Sequence, residues 1–172
     1  MVLRFQQDWQ RSDTLLLYRC IHHSCNVHTT KLARRLSAKL HVVFPIDRAG
    51  IVGADGETHQ GVYDISYLSH MPNMTILSPA TLDQLEYMLD FAINKFNAPI
   101  AIRYHVAEQR LKTCFRFHLG QAQCIQNGSD VTIIATGRMV KRAEEVAKLT
   151  TKSVEILAMP TIKPLDTKSI NR

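Results

Sequence analysis

The chain has 172 residues, 45% of them hydrophobic, and a formal net charge of +6. That is enough for one domain of ordinary size or two small incomplete ones. No apolar run approaches a membrane span, no signal-peptide pattern opens the chain, and the four cysteines (Cys20, Cys25, Cys114, Cys124) form no CxxC pair, so a reduced, cytoplasmic protein is expected.

Residues 1–39 show no convincing period and are rich in Arg, Gln, His, Ser and Thr. Residues 1–41 hold seven Lys/Arg against two Asp, a net +5, so most of the basic excess lies there. Three tempting readings fall in this stretch. Cys20, His22, His23, Cys25 and His28 invite zinc, but CxHHxC fits no standard finger and has no second ligand pair at a suitable distance. HTTKLARRLSAK at 28–39 could be a nucleic-acid-binding arm, which salt-dependent RNA or DNA binding with and without residues 1–39 would reveal, or part of a transit peptide, against which Asp8 and Asp13 count.

From Leu40 the character changes. LHVVFPI at 40–46 predicts a strand apolar on both faces, as in a parallel sheet. A long polar loop follows at 47–61 with four glycines, Gly50, Gly53, Gly56 and Gly61. NMTILSP at 73–79 predicts a second strand, with Ser78 as helix N-cap and Pro79 at the first helical position. Leu82, Leu85, Leu89, Ile93 and Phe96, with Met88 and Ala92 beside them, form an apolar stripe at helical spacing. Residues 99–104, PIAIRY, predict a third strand. The pattern lapses over 105–118 and returns with DVTIIAT at 130–136. A helix is expected at 139–149, with Met139, Val140, Ala143, Val146 and Ala147 on one face and Glu144–Lys148 as an i,i+4 pair, followed by VEILAM at 154–159 as a strand. Strand, helix, strand twice over predicts an α/β fold with parallel pairing and right-handed crossovers.

In parallel α/β sheets ligands sit at the carboxyl ends of strands, and the 47–61 loop leaves such an end. Its glycines permit tight turns and close backbone approach. Arg48 could fork onto a phosphate or carboxylate. Asp55 and His59 could hydrogen-bond a polyol or move protons near neutral pH. Spacing alone leaves an ordinary surface loop as the commoner reading.

The string IDRAGIVGADGETHQGVYDISYLSHMPNMTILSP strongly resembles the 1-deoxy-D-xylulose 5-phosphate synthase family, thiamine-diphosphate enzymes of the transketolase group. The resemblance implies a partial transketolase-type pyrimidine-binding domain, a parallel sheet with flanking helices, and the start of the C-terminal α/β domain. On that basis 1–39 is an irregular segment, 40–104 the second half of the pyrimidine-binding domain, 105–118 a disrupted linker, and 119–172 (LGQAQCIQNGSDVTIIATG to TIKPLD) the first part of the C-terminal domain. The family joins pyruvate to glyceraldehyde 3-phosphate with loss of carbon dioxide, feeding isoprenoid, thiamine and pyridoxal synthesis, as a homodimer using thiamine diphosphate and Mg2+. The resemblance gives Arg48 the acceptor's phosphate, and Asp55 and His59 the acceptor or the thiamine adduct, with His59 as the proton-handling, catalytic candidate.

The family's GDG loop for magnesium and diphosphate and its EQHA glutamate have no counterpart in the 172 residues, so cofactor binding by this chain alone is not expected. Two further departures, IHHSCNVHTTK before the first strand and HVA after the third, have one explanation. Synonymous codons for Cys20–Lys31, regrouped by one base, read Tyr-Ser-Ser-Phe-Leu-Gln-Arg-Ala-Tyr-Asp-Gln, the family's own stretch. Tyr104–Gln109 regroups to Pro-Arg-Gly-Arg-Ala, and Phe5–Arg11 to Ser-Ala-Gly-Leu-Ala-Lys. Residues 1–39 and about 105–118 thus read as translated out of frame. The expectation is an inactive remnant of a synthase. The reading from another class is a non-catalytic binding module on a transketolase-type half domain.

Overall fold

The computed structural model describes residues 41–53, 60–105 and 117–172, with the backbone of Leu15 and Leu16. Its strands form two sheets. The first contains β1 (Leu15–Leu16), β2 (Val42–Ile46), β3 (Thr75–Leu77), β4 (Ile100–Arg103) and β8 (Thr161–Lys163), in the order β1-β2-β4-β3-β8. The second contains β5 (Gln123–Gln126), β6 (Val131–Ala135) and β7 (Val154–Ala158), in the order β5-β7-β6. Among the described residues four helices join them: α1 (Asp64–Ser69), α2 (Leu82–Asn94), α3 (Met139–Ala147) and α4 (Thr167–Ile170).

The three strands expected between 40 and 104 pair in parallel, Val43 opposite Ile100 and Thr75 opposite Ile100 across the two ladders. Their double-sided apolar pattern has its cause in two covered faces. Val42, Phe44 and Ile46 pack with Leu68 of α1, Met71, Met74, Ile76 and Ala101. Val43 points the other way, to Leu77, Ile100, Ile102 and Met88 and Ala92 of α2. Each fully buried aliphatic side chain contributes about 1.5–3 kcal/mol.

Two local expectations are corrected. Helix α2 starts at Leu82, capped by Thr81, whose hydroxyl accepts from Gln84 N at 3.1 Å. Ser78 is instead buried before the helix begins, with its N–H donating to Pro160 O at 2.9 Å. The buried face of α2 centres on Gln84, Met88 and Ala92, while Leu82 is half-exposed. Gln84 tolerates burial because its Oε1 accepts from Ala80 N at 2.8 Å.

The second strand–helix–strand unit, β6-α3-β7, is also parallel, but β6 is an edge strand. Val140 and Ala143 of α3 are buried against Val154, Ile156, Ala158 and Ala135, whereas Met139 and Val146, expected on the same face, are each 52% exposed. The ion pair on α3 is Arg142–Glu145 at 2.8 Å rather than the expected Glu144–Lys148.

Sequence periodicity missed β5, β8, α1 and α4. Strands β5 and β8 are short, antiparallel and, at β5, only half covered, so neither carries an apolar run. Strand β8 ties the two sheets together. The chain leaves β7 at Ala158, crosses at Met159 and Pro160, and pairs antiparallel with β3 of the first sheet. Lys163 Nζ then donates to Ser69 O at 2.8 Å and Met71 O at 2.7 Å. Asp166 clamps the next turn, accepting from Ala122 N at 2.8 Å and from Ser169 N, and the Ala122 N–H above all holds its carboxyl below the usual range.

Candidate functional site

The long loop closes on itself at its base. Gly61 N donates to Arg48 O and Gly50 O at 3.1 Å each, and Gly50 N returns to Gly61 O at 2.9 Å. A Cβ on Gly61 would lie 2.5 Å from Arg48 O, so this crossing accepts glycine alone without displacement. Gln60 adds a second staple, its amide side chain bonding both Val52 N (2.5 Å) and Val52 O (2.9 Å). The loop base is also pinned to the end of β4, through Ala49 N to Tyr104 O at 3.0 Å.

Arg48 sits at this crossing with φ +56°, a left-handed conformation that a non-glycine residue adopts at a cost of about 1–3 kcal/mol. Its Nη1 pairs with neighbouring Asp47 at 2.7 Å. Asp55 and His59, the other two residues singled out in the sequence, lie outside the described residues, as does the Cys20–His28 cluster.

The residues that follow Arg48 open onto a cleft of about 320 Å³. One wall is the carboxyl end of the first sheet: Ala49, Gly50 and Ile51 after β2, Ser78 and Pro79 after β3, and Arg103, Tyr104 and His105 at the end of β4. The facing wall is the carboxyl end of β6 and the start of α3, Thr136 to Met139. Strand ends from both sheets therefore converge on one space, the expected ligand position in an α/β protein. The walls meet closely at Gly137, which has φ +54° and where a Cβ would stand 2.8 Å from Ser78 Oγ. Thr136 Oγ1 donates to Met159 O and Met159 N to Ala135 O, both at 2.7 Å, so the crossing into β8 forms the back of the junction.

Arg103 was not singled out in the sequence. Its Nε donates to Asp64 Oδ2 at 2.9 Å and its Nη2 to Oδ1 at 3.3 Å. The Asp64 side chain is 1% exposed and that of Arg103 11%, so the pair fixes the guanidinium at the cleft wall. A partner 39 residues distant leaves no local signal. Across the cleft Arg138 Nη1 donates to His105 Nε2 at 2.8 Å. Burial first, and then the Arg138 charge, push the His105 pKa below its ordinary value.

Among the described residues no group of three or more His, Cys, Asp or Glu side chains converges as a metal site, so no Mg2+ ligand is assigned here. No helix among them is long and apolar enough to cross a membrane.

The pyrimidine-binding domain of transketolase matches residues 28–111, and the transketolase C-terminal domain matches residues 120–172. The chain belongs to the transketolase family. Within that family it resembles 1-deoxy-D-xylulose-5-phosphate synthases: 43% identity over 160 residues with that of Clostridium tetani, and 45% over 141 residues with that of Clostridium acetobutylicum. These alignments cover 86% and 78% of the chain but 26% and 23% of the relatives, so the chain spans about a quarter of their length. Among solved structures it is similar to the split gene transketolase described as an inactive beta4 tetramer, with a TM-score of 0.74, 26% identity, and coverage of 84% of this chain and 49% of that one. The transketolase of Leishmania mexicana shares the fold at a TM-score of 0.68 and 20% identity, over 80% of this chain and 22% of that one. The family is one of thiamine-diphosphate-dependent transferases. The pyrimidine-domain match extends beyond 40–104 at both ends, into parts of 1–39 and 105–118.

Proposed function

We propose that the chain is the acceptor-binding part of a 1-deoxy-D-xylulose-5-phosphate synthase, which condenses pyruvate with glyceraldehyde 3-phosphate and releases carbon dioxide. The observation that carries this reading is the glycine loop, closed at Arg48 and Gly61 and opening at Ala49–Ile51 onto a cleft where strand ends of both family domains converge. Arg48 would hold the acceptor's phosphate, Asp55 its hydroxyls, and His59 a proton at the reacting carbonyl. When bound, thiamine diphosphate with Mg2+ supplies the carbanion chemistry; the residues here bind and orient the acceptor. The enzyme works in the cytoplasm as a homodimer.

The 172-residue chain by itself neither holds the cofactor nor turns over. A span of about a quarter of its relatives, and similarity to a split gene transketolase described as an inactive beta4 tetramer, support this. Calorimetry with thiamine diphosphate and Mg2+, followed by an assay with pyruvate and glyceraldehyde 3-phosphate, tests it: no heat and no product are expected, and turnover would overturn it. The domain division at 40–104 and 119–172, with out-of-frame 1–39 and 105–118, is tested by the nucleotide sequence. Regrouping its codons by one base must yield the Tyr-Ser-Ser-Phe-Leu-Gln-Arg-Ala-Tyr-Asp-Gln run, or that division fails.

A further inference from the structure

Asn127, alone among the asparagines of the chain, is followed by a glycine. The pair Asn127-Gly128 lies in the connection between β5 and β6, and Asn127 is exposed. Asparagine is among the thermolabile residues, because its side-chain amide lies within reach of the next main-chain nitrogen. A glycine in that next position has no Cβ to shield the nitrogen. Gly128 N–H donates no hydrogen bond among the described residues. Val154 O of β7, against which Gly128 packs, accepts from Gln126 Nε2 at 2.8 Å instead. The nitrogen is therefore not held in a backbone ladder.

The Asn127 carboxamide folds back over its own connection. Cys124 Sγ lies 3.4 Å from both Asn127 Oδ1 and Gln126 O, and shares its weak S–H donor between them. A donor at Oδ1 draws electron density from Cγ, the carbon a main-chain nitrogen attacks. Gly128 itself is closely packed. A Cβ there would lie 2.1 Å from Val154 C and 2.2 Å from Glu155 N, so the chain passes β7 with no room for one more carbon.

We propose that Asn127 is a site of spontaneous deamidation, and that its isoaspartate product breaks the packing of Gly128 on β7. Gly128 N loses its proton to hydroxide and attacks Asn127 Cγ. The bond from Cγ to the side-chain nitrogen breaks, and that nitrogen takes a proton from water and leaves as ammonia. One water then opens the cyclic succinimide. Opening at Cγ gives aspartate with the original backbone. Opening at the main-chain carbonyl gives isoaspartate, whose backbone runs through Cβ and is longer by one carbon. That carbon displaces Gly128 from the Val154–Glu155 peptide and loosens β5 from its antiparallel partner β7. Either product also adds a negative charge close to Asp130, whose carboxylate holds Ser153 N at 2.8 Å. The proposal is independent of the synthase reading.

Ageing the full chain in heavy-oxygen water at neutral to alkaline pH, followed by digestion and mass spectrometry, tests it. The peptide that carries Asn127 should lose ammonia and gain one heavy oxygen ahead of the peptides that carry Asn26, Asn73, Asn94, Asn97 and Asn171, and faster as the pH rises. Fragmentation then distinguishes aspartate from isoaspartate. Asn127→Gln should abolish conversion at this position, because its ring closure is slower. Asn127→Asp is the aspartate product made directly, with an ordinary backbone. It should keep the hydrogen-exchange protection of β5, whereas the chromatographically separated isoaspartate form of the aged chain should lose it. Asn127 unconverted in the folded chain while the urea-unfolded chain is converted there, another asparagine converted first, or a rate indifferent to pH overturns the site. Protection of β5 unchanged in the isoaspartate form overturns its structural consequence.

Discussion

The two strand–helix–strand units of this chain look alike in sequence and are buried differently. In the first, β3 and β4 lie inside a five-stranded sheet covered by α1 on one face and α2 on the other, and Ile76, Leu77, Ile100, Ala101 and Ile102 have no exposed surface. In the second, β6 is the edge of a three-stranded sheet. Ile133 and Ala135 face α3, while Ile134 is 48% exposed. An apolar run thus states which residues can be buried, and the neighbouring elements decide which are.

The largest expected break of this comparison lies in the buried ion pair of the first unit. Asp64→Ala leaves Arg103 charged and 11% exposed without its partner, and should cost about 3–5 kcal/mol in urea unfolding. A loss below about 1 kcal/mol would show that the pair is not closed in solution. Next in size is a matched pair of truncations. Ile102→Ala should cost about 2–5 kcal/mol, because the covered sheet cannot collapse around the cavity. Ile134→Ala on the open edge should cost less than about 1 kcal/mol. Equal losses would mean that β6 is as enclosed as β4.

Gly137→Ala tests the seam between the units. Its left-handed backbone and the 2.8 Å approach of a Cβ to Ser78 Oγ should cost about 1–3 kcal/mol. An alanine variant with full stability would show that the walls are not locked there. The smallest expected effect is pH-dependent. The fold lowers the His105 pKa below its ordinary value of 6.5, so the unfolded chain takes up the proton first as pH falls. His105 therefore contributes stability above that value and loses it on acidification below it. Thermal unfolding between about pH 7.5 and 5 should fall less steeply in His105→Gln than in the parent. Identical profiles would place His105 away from Arg138.

The strand-and-helix reading of 40–46, 73–79, 99–104, 130–136, 139–149 and 154–159 recovered the parallel framework, because those segments bury their own apolar faces against adjacent sheet. The cap of α2 was misread because Ser78 and Thr81 both carry the local signal of a cap, and it is the Thr81 hydroxyl that accepts from Gln84 N. At the site, Arg48 and the closing Gly61 were visible in the sequence, as members of one short loop. Arg103 with Asp64, and Arg138 with His105, were not, because partners 39 and 33 residues apart leave no spacing to read.

By itself the sequence determined the α/β class, the strand that launches the glycine loop, and the likeness to a thiamine-dependent synthase, all carried by contiguous residues. The tertiary structure alone decided that β8 crosses from the second half to complete the first sheet, and that strand ends of both halves enclose one basic cleft. The physical reason is that hydrophobic periodicity records how a segment meets its nearest layer. Charge convergence arises from where distant segments come to lie, and is written in no single stretch of chain.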